Sequence, residues 1–133
     1  MDELVLRIKK PELCYVFAQN AFKRGRDDLA IQAYRRAVDL KAEAHEVDSE
    51  AELMALKSFY AYEEALSYGQ RKRKRATGTW QMVNRIGILP TLHKRVQSKS
   101  GEDAMTALAL LKMEDYAFAN IAKAYAEDLQ TAA

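Results

Sequence analysis

Apolar side chains recur every three to four residues along almost the whole chain, and little in the sequence can interrupt that rhythm. Only two Pro and five Gly stand among 133 residues. Patterning at this period predicts helices, and so few turn formers leave no material for the many tight turns of an all-β fold. The length suits one domain that buries a core without help from a disulfide or a metal. With 49% hydrophobic and 30% charged residues, the composition is neither that of a disordered chain nor that of a membrane protein. No apolar run reaches the roughly 18 residues of a spanning helix. Asp2, Glu3 and Arg7 break the first apolar stretch, against a secretory signal. The expectation is a cytoplasmic protein with no membrane attachment.

The elements follow from the punctuation. Pro11 suits a first helical position, and Cys14, Phe17, Ala18, Ala21 and Phe22 continue one face. Gly25 suits the left-handed residue after a helix end. Asp27 suits an N-cap, ahead of a helix with Ala30, Tyr34, Ala37 and Val38 on one face and Arg35 and Arg36 on the other. So tight a connection predicts an antiparallel hairpin. Ser49 and Glu52 have capping-box spacing and open a long helix over 49–68 that ends at Gly69. Its apolar stripe (Ala55, Leu56, Phe59, Tyr62, Leu66) is widened by Leu53 and Tyr60, as in a helix contacted from two sides. Thr79 and Pro90 are expected to start two short helices separated by Gly87. Residues 102–129 read as a second helical hairpin, with Asp115 capping its last helix.

Two resemblances rest on these residues. Residues 11–41 resemble one tetratricopeptide repeat, a helical-hairpin module of about 34 residues, through Ala18, Gly25, Ala30, Tyr34 and Ala37. The resemblance implies close packing of two helices, with small residues at the crossing and Tyr34 beside them. It also implies a surface that binds another protein. Cys14 and Ala21 stand where the repeat has bulky residues, and its closing Pro is absent. Residues 74–125 are similar to an uncharacterised group of bacterial proteins, through Thr79-Trp80-Gln81-Met82-Val83, Gly87-Ile88 and Met113 to Phe118. That implies a shared fold and no particular chemistry.

The overall net charge of +2 conceals a segregation. Residues 1–70 carry −3, residues 71–99 carry +9 without a single acid, and residues 100–133 carry −4. Arg71-Lys72-Arg73-Lys74-Arg75 is the densest part. Such a run repels itself and belongs at a surface. One reading is a solvated loop, a clasp onto the acidic flanks of this chain or of a twin chain, or a continuation of the long helix that lays Arg71 to Arg75 against Glu63 and Glu64. The other is a phosphate-binding surface with Tyr60, Tyr62, Tyr68 and Trp80 available for stacking on bases. A sharper form places a helix-turn-helix at 79–96. There Arg85 joins the basic surface, and Thr91, His93, Lys94 and Arg95 face the major groove.

Catalytic chemistry finds no residues to name. Asp27-Asp28 and Glu63-Glu64 are adjacent pairs whose side chains diverge by about 100° on a helix, so capping or a solvated face explains them. Cys14 lies among Leu13, Val16 and Phe17 and reads as a buried, inert thiol. His45 and His93 stand apart, and no zinc spacing occurs. The expectation is an all-α fold of five to six helices, with two antiparallel hairpins around the long helix. Its expected role is a non-enzymatic protein-protein interaction or scaffold module without cofactor or metal, with a homodimer among its forms. DNA binding through 71–99 is the alternative.

Overall fold

A computed structural model describes residues 1–132. It is all-helical, with nine α-helices and one 3₁₀ turn among the described residues. The helices are α1 (Glu3–Leu6), α2 (Pro11–Lys23), α3 (Asp27–Glu43), α4 (Glu50–Ser67), α5 (Thr77–Ile86), α6 (Ile88–Val96), α7 (Ser100–Leu110), α8 (Phe118–Ala124) and α9 (Ala126–Ala132); the 3₁₀ turn is Glu114–Tyr116.

Local signals set the first half. Pro11 opens α2. Gly25 (φ 72°) closes it in a Schellman motif: Arg26 N donates to Ala21 O at 2.8 Å and Gly25 N to Phe22 O at 3.0 Å. The next helix starts at Asp27, with Arg26 in the cap position, so Asp27 lies one residue inside its expected place. Ala18, Ala30 and Ala37 are fully buried where α2 and α3 pack together. Tyr34 sits beside them, its ring 6.1 Å from that of Tyr15 and 6.2 Å from that of Phe22. Ser49 Oγ accepts from Glu52 N, and the Glu52 carboxylate reaches back to Asp48 N at 2.7 Å.

Helix α4 runs through the middle. It packs on α3 along one side and on α6, α7 and α8 along the other. Phe59 is fully buried, edge-on to Trp80 and to Phe118. One apolar cluster joins α1, α2 and α3; a second joins α3 and α4 to the C-terminal helices, and Tyr34 touches both.

The helix count exceeds the expected five to six because of both ends of the chain. Asp2 caps a four-residue helix by accepting from Leu4 N at 2.8 Å. Near the other end Tyr116, Ala117 and Phe118 are all buried, and three consecutive residues cannot share one helix face. Extended backbone at Ala117 (ψ 144°) resolves the conflict. It sends Tyr116 to Asp39 of α3 (2.7 Å) and Phe118 to Phe59 and Tyr62 of α4. The expected hairpin over 102–129 therefore does not form as two paired helices: α7 and α8 each pack on α4 and α6. Asp115 caps nothing. It makes a two-bonded pair with Arg35 at 2.6 and 2.9 Å, and the Arg35 guanidinium lies 4.1 Å from the Tyr116 ring centre. Arg35 thus joins α3 to the C-terminal region instead of lining an outer face.

Candidate functional site: the basic strap and its buried carboxylates

Glu63 and Glu64 do not lie on a solvated face. Both are buried, with side chains 5% and 2% exposed. Both meet one strap, residues 69–76, that carries the basic run back along the helix. A buried carboxylate needs hydrogen bonds or an opposite charge, and the strap supplies them. Glu63 Oε2 accepts from Ala76 N (2.9 Å) and from Trp80 Nε1 (2.7 Å), with Arg75 Nε at 3.9 Å. Glu64 Oε2 accepts from Tyr15 Oη (2.7 Å) and pairs with the Arg73 guanidinium. Arg73 also lies 3.9 Å from the centre of the Tyr15 ring. The backbone between is pinned as well, since Lys74 N donates to Ser67 Oγ at 2.9 Å.

Burial pushes the Glu64 carboxyl above the ordinary glutamate value, and Arg73, the Tyr15 hydroxyl and Lys41 pull against it. The Tyr15 hydroxyl is raised in turn by burial and by Glu64. Lys41 donates to Tyr15 Oη at 2.7 Å, and burial holds its ammonium below the usual lysine range. Arg73, Glu64, Tyr15 and Lys41 form one chain of contacts linking the strap to α4, α2 and α3.

The predicted contact residues divide accordingly. Arg73 turns onto Glu64, while Arg75, its side chain 76% exposed and its Nε 3.9 Å from Glu63, stays at the surface with Arg71, Lys72 and Lys74. Helix α6 is not a free recognition helix. It packs on α4, α7, α8 and α9, and Gly87 alone, at φ 95° and ψ 171°, separates it from α5. Thr91 is fully buried and donates to Gly87 O at 2.7 Å, so it cannot face DNA. Arg95 is half-buried, its guanidinium 5.2 Å from the Tyr62 ring centre and 5.5 Å from that of Phe118. Arg85, His93 and Lys94 are exposed. Three of the four aromatics near the run serve the core: Trp80 packs on Tyr60 (4.8 Å) and lies parallel to His45 (5.9 Å), and Tyr62 meets Phe118, whereas Tyr68 is exposed. Thr79 is buried inside α5, whose first residue is Thr77. Cys14 is fully buried, and desolvation pushes its thiol up to about 11, which suits an unreactive side chain.

The sequence allowed the basic run to lie against Glu63 and Glu64, though through a continued helix and not a strap, and it held no sign of Tyr15 and Lys41, whose partners lie 49 and 26 positions away, beyond any local pattern. The one available signal was two adjacent glutamates on a helix otherwise rich in apolar residues. No family model, curated protein or solved structure matches the chain.

Proposed function

We propose that the chain is a non-enzymatic helical interaction module that docks another protein on the outer face of α1 and α2. The observation that carries this is an apolar surface left over after the core is filled. Leu4, Leu6, Leu13 and Val16 are 54%, 45%, 51% and 53% exposed. In sequence they adjoin Val5 and Cys14, which are buried in one of the apolar clusters. Apolar side chains gathered like this on a small soluble domain mark interaction surfaces. The resemblance of 11–41 to a tetratricopeptide hairpin supports the same reading. The simplest partner is a second copy of the chain, each hairpin covering the other. Light scattering across a concentration series tests it. We expect the mass to rise toward a dimer, and Leu13→Lys with Val16→Glu to hold the protein at 15.1 kDa without loss of helicity. A wild-type chain that stays monomeric and gains nothing in solubility from the double substitution refutes the reading.

A second reading keeps some support from Arg71, Lys72, Lys74, Arg85 and Lys94, which are exposed: binding to a nucleic-acid backbone. It predicts affinity for duplex DNA that falls steeply with salt and a slope that flattens when these five are neutralised. Arg73, held by Glu64, contributes little to that slope.

A further inference from the structure

A second feature of the strap concerns the cleft it makes with the end of α3. This cleft has a volume of about 540 Å³, within the range of small-molecule sites. Its walls bring Lys9, Lys41, Arg73, Lys74 and Arg75 together with a single acid, Glu63. That acid is already occupied by Ala76 N and Trp80 Nε1, and Arg73 by Glu64. Leu40, Ala44 and Tyr60 supply an apolar wall.

Lys41 is the decisive member. It is half-buried, yet it forms no ion pair among the described residues, and its one hydrogen bond goes to the neutral oxygen of Tyr15. The Tyr15 and Tyr60 ring centres lie 5.0 and 5.8 Å from its nitrogen. Two of its N–H bonds are left for an acceptor in the cleft. A desolvated ammonium whose nearby carboxylates, Glu64 and Glu63, act on it without direct contact is costly to keep, and burial depresses its basicity in spite of them. An anion seated beside it removes that cost, and Lys9, Lys74 and Arg75 favour one with more than a single charge.

We propose that this cleft binds a phosphorylated small molecule, its phosphoryl group taken by Lys41, Lys9, Lys74 and Arg75 and its organic part by Leu40, Ala44 and Tyr60. The site adjoins α1 and α2 through Lys9 and Pro11 but uses none of Leu4, Leu6, Leu13 and Val16, so pyrophosphate binding tests it independently of the docking face.

The fold supplies its own reporter. Trp80 is the chain's only tryptophan and packs on Tyr60 and His45, both of which line the cleft. The intact protein is titrated with pyrophosphate at constant ionic strength, following Trp80 fluorescence and the thermal midpoint. The expected result is a saturable fluorescence change and a rise in midpoint as the ligand binds only the folded state. Lys41→Met should weaken binding about tenfold or more, as loss of a charge-assisted hydrogen bond does, with Lys41→Arg in between. Should Lys41→Met fail to fold, Lys9→Ala and Lys74→Ala, at exposed positions, report the same loss. Lys94→Ala, outside the cleft, should bind as the parent does. A nucleoside diphosphate that displaces pyrophosphate supports recognition of the organic part. Absence of saturation, or equal weakening by Lys94→Ala, overturns the proposal. So does a short DNA duplex that displaces pyrophosphate more tightly than any small phosphate, since the cations then belong to a backbone-binding surface.

Discussion

Glu64 is the side chain on which the strap depends. It is almost fully buried, and its charge is met by Arg73, whose own side chain is 40% exposed. Removing one partner of a buried pair leaves an uncompensated charge. Allowing for the solvent around Arg73, Arg73→Gln should destabilise the fold by about 2 kcal/mol, read as a lower urea midpoint with unchanged slope. In the same variant the DNA salt slope, where one exists, should stay as it was. The pH dependence has a definite sign. The folded-state value of Glu64 is raised, chiefly by burial, so the folded state holds its proton more tightly than the unfolded chain does. This group therefore favours folding at and below the ordinary value of 4.5 and loses that contribution as pH rises through its raised value. Asp115 acts in the opposite sense. The Arg35 hydrogen bonds lower its value, so its contribution is present above the ordinary 3.8 and disappears as acid protonates it. Urea midpoints measured from pH 4 upward should fall less steeply in Glu64→Gln than in the parent. An identical profile would mean that Glu64 does not titrate in this way.

Among the elements, the α5–α6 junction has the most demanding geometry. Gly87 alone separates the two helices at φ 95° and ψ 171°, a region that residues with a Cβ scarcely enter. The space beside it is ample, since an added Cβ would meet only Pro90 Cδ at 3.8 Å. The penalty of Gly87→Ala is thus one of backbone conformation, about 2 kcal/mol, and thermal melts should show it without any change in the packing of Leu92. The same junction shows what could be read in advance. The stop at Gly87 was legible because a helix end between two apolar periods needs a residue free of Cβ. The same holds for Gly25 and for the Ser49 cap, whose partners lie within a few residues. The role of α6 was not legible. A nine-residue helix with Thr91, His93, Lys94 and Arg95 on its surface looks like a groove binder until tertiary packing buries Thr91 and lays Arg95 on two rings. The break at Ala117 was equally hidden, for no Gly or Pro marks it. It exists because Tyr116 and Phe118 are claimed by different neighbours.

At the scale of the whole molecule, two apolar clusters are bound together by polar links as well as by Tyr34. Arg73 reaches from the strap to Tyr15 of α2, and Arg35 reaches from α3 to Asp115 and the Tyr116 ring. The segregated charge of the sequence is therefore partly consumed in joining the acidic first half to the basic middle. Arg35→Met should cut the Asp115 link while keeping much of the stacking on Tyr116. Because Asp115 is more than half exposed, the expected loss is about 1 kcal/mol. It should appear as faster hydrogen exchange in α8 and α9 with α2 and α3 unaffected. Uniform loss of protection across all helices would show instead that the clusters open as one unit.

The strap also decides how a protease meets this protein. Five successive trypsin sites lie between Arg71 and Arg75, but they are not equivalent. Arg71 and Lys72 precede the anchored portion, whereas Arg73 lies on Tyr15 and Lys74 is tied by its backbone to Ser67. A native chain should be nicked first after Arg71 or Lys72. It should then stay assembled as two fragments, because α4 on one side of the cut remains packed against α6, α7 and α8 on the other, and α3 stays bonded to Asp115 and Tyr116.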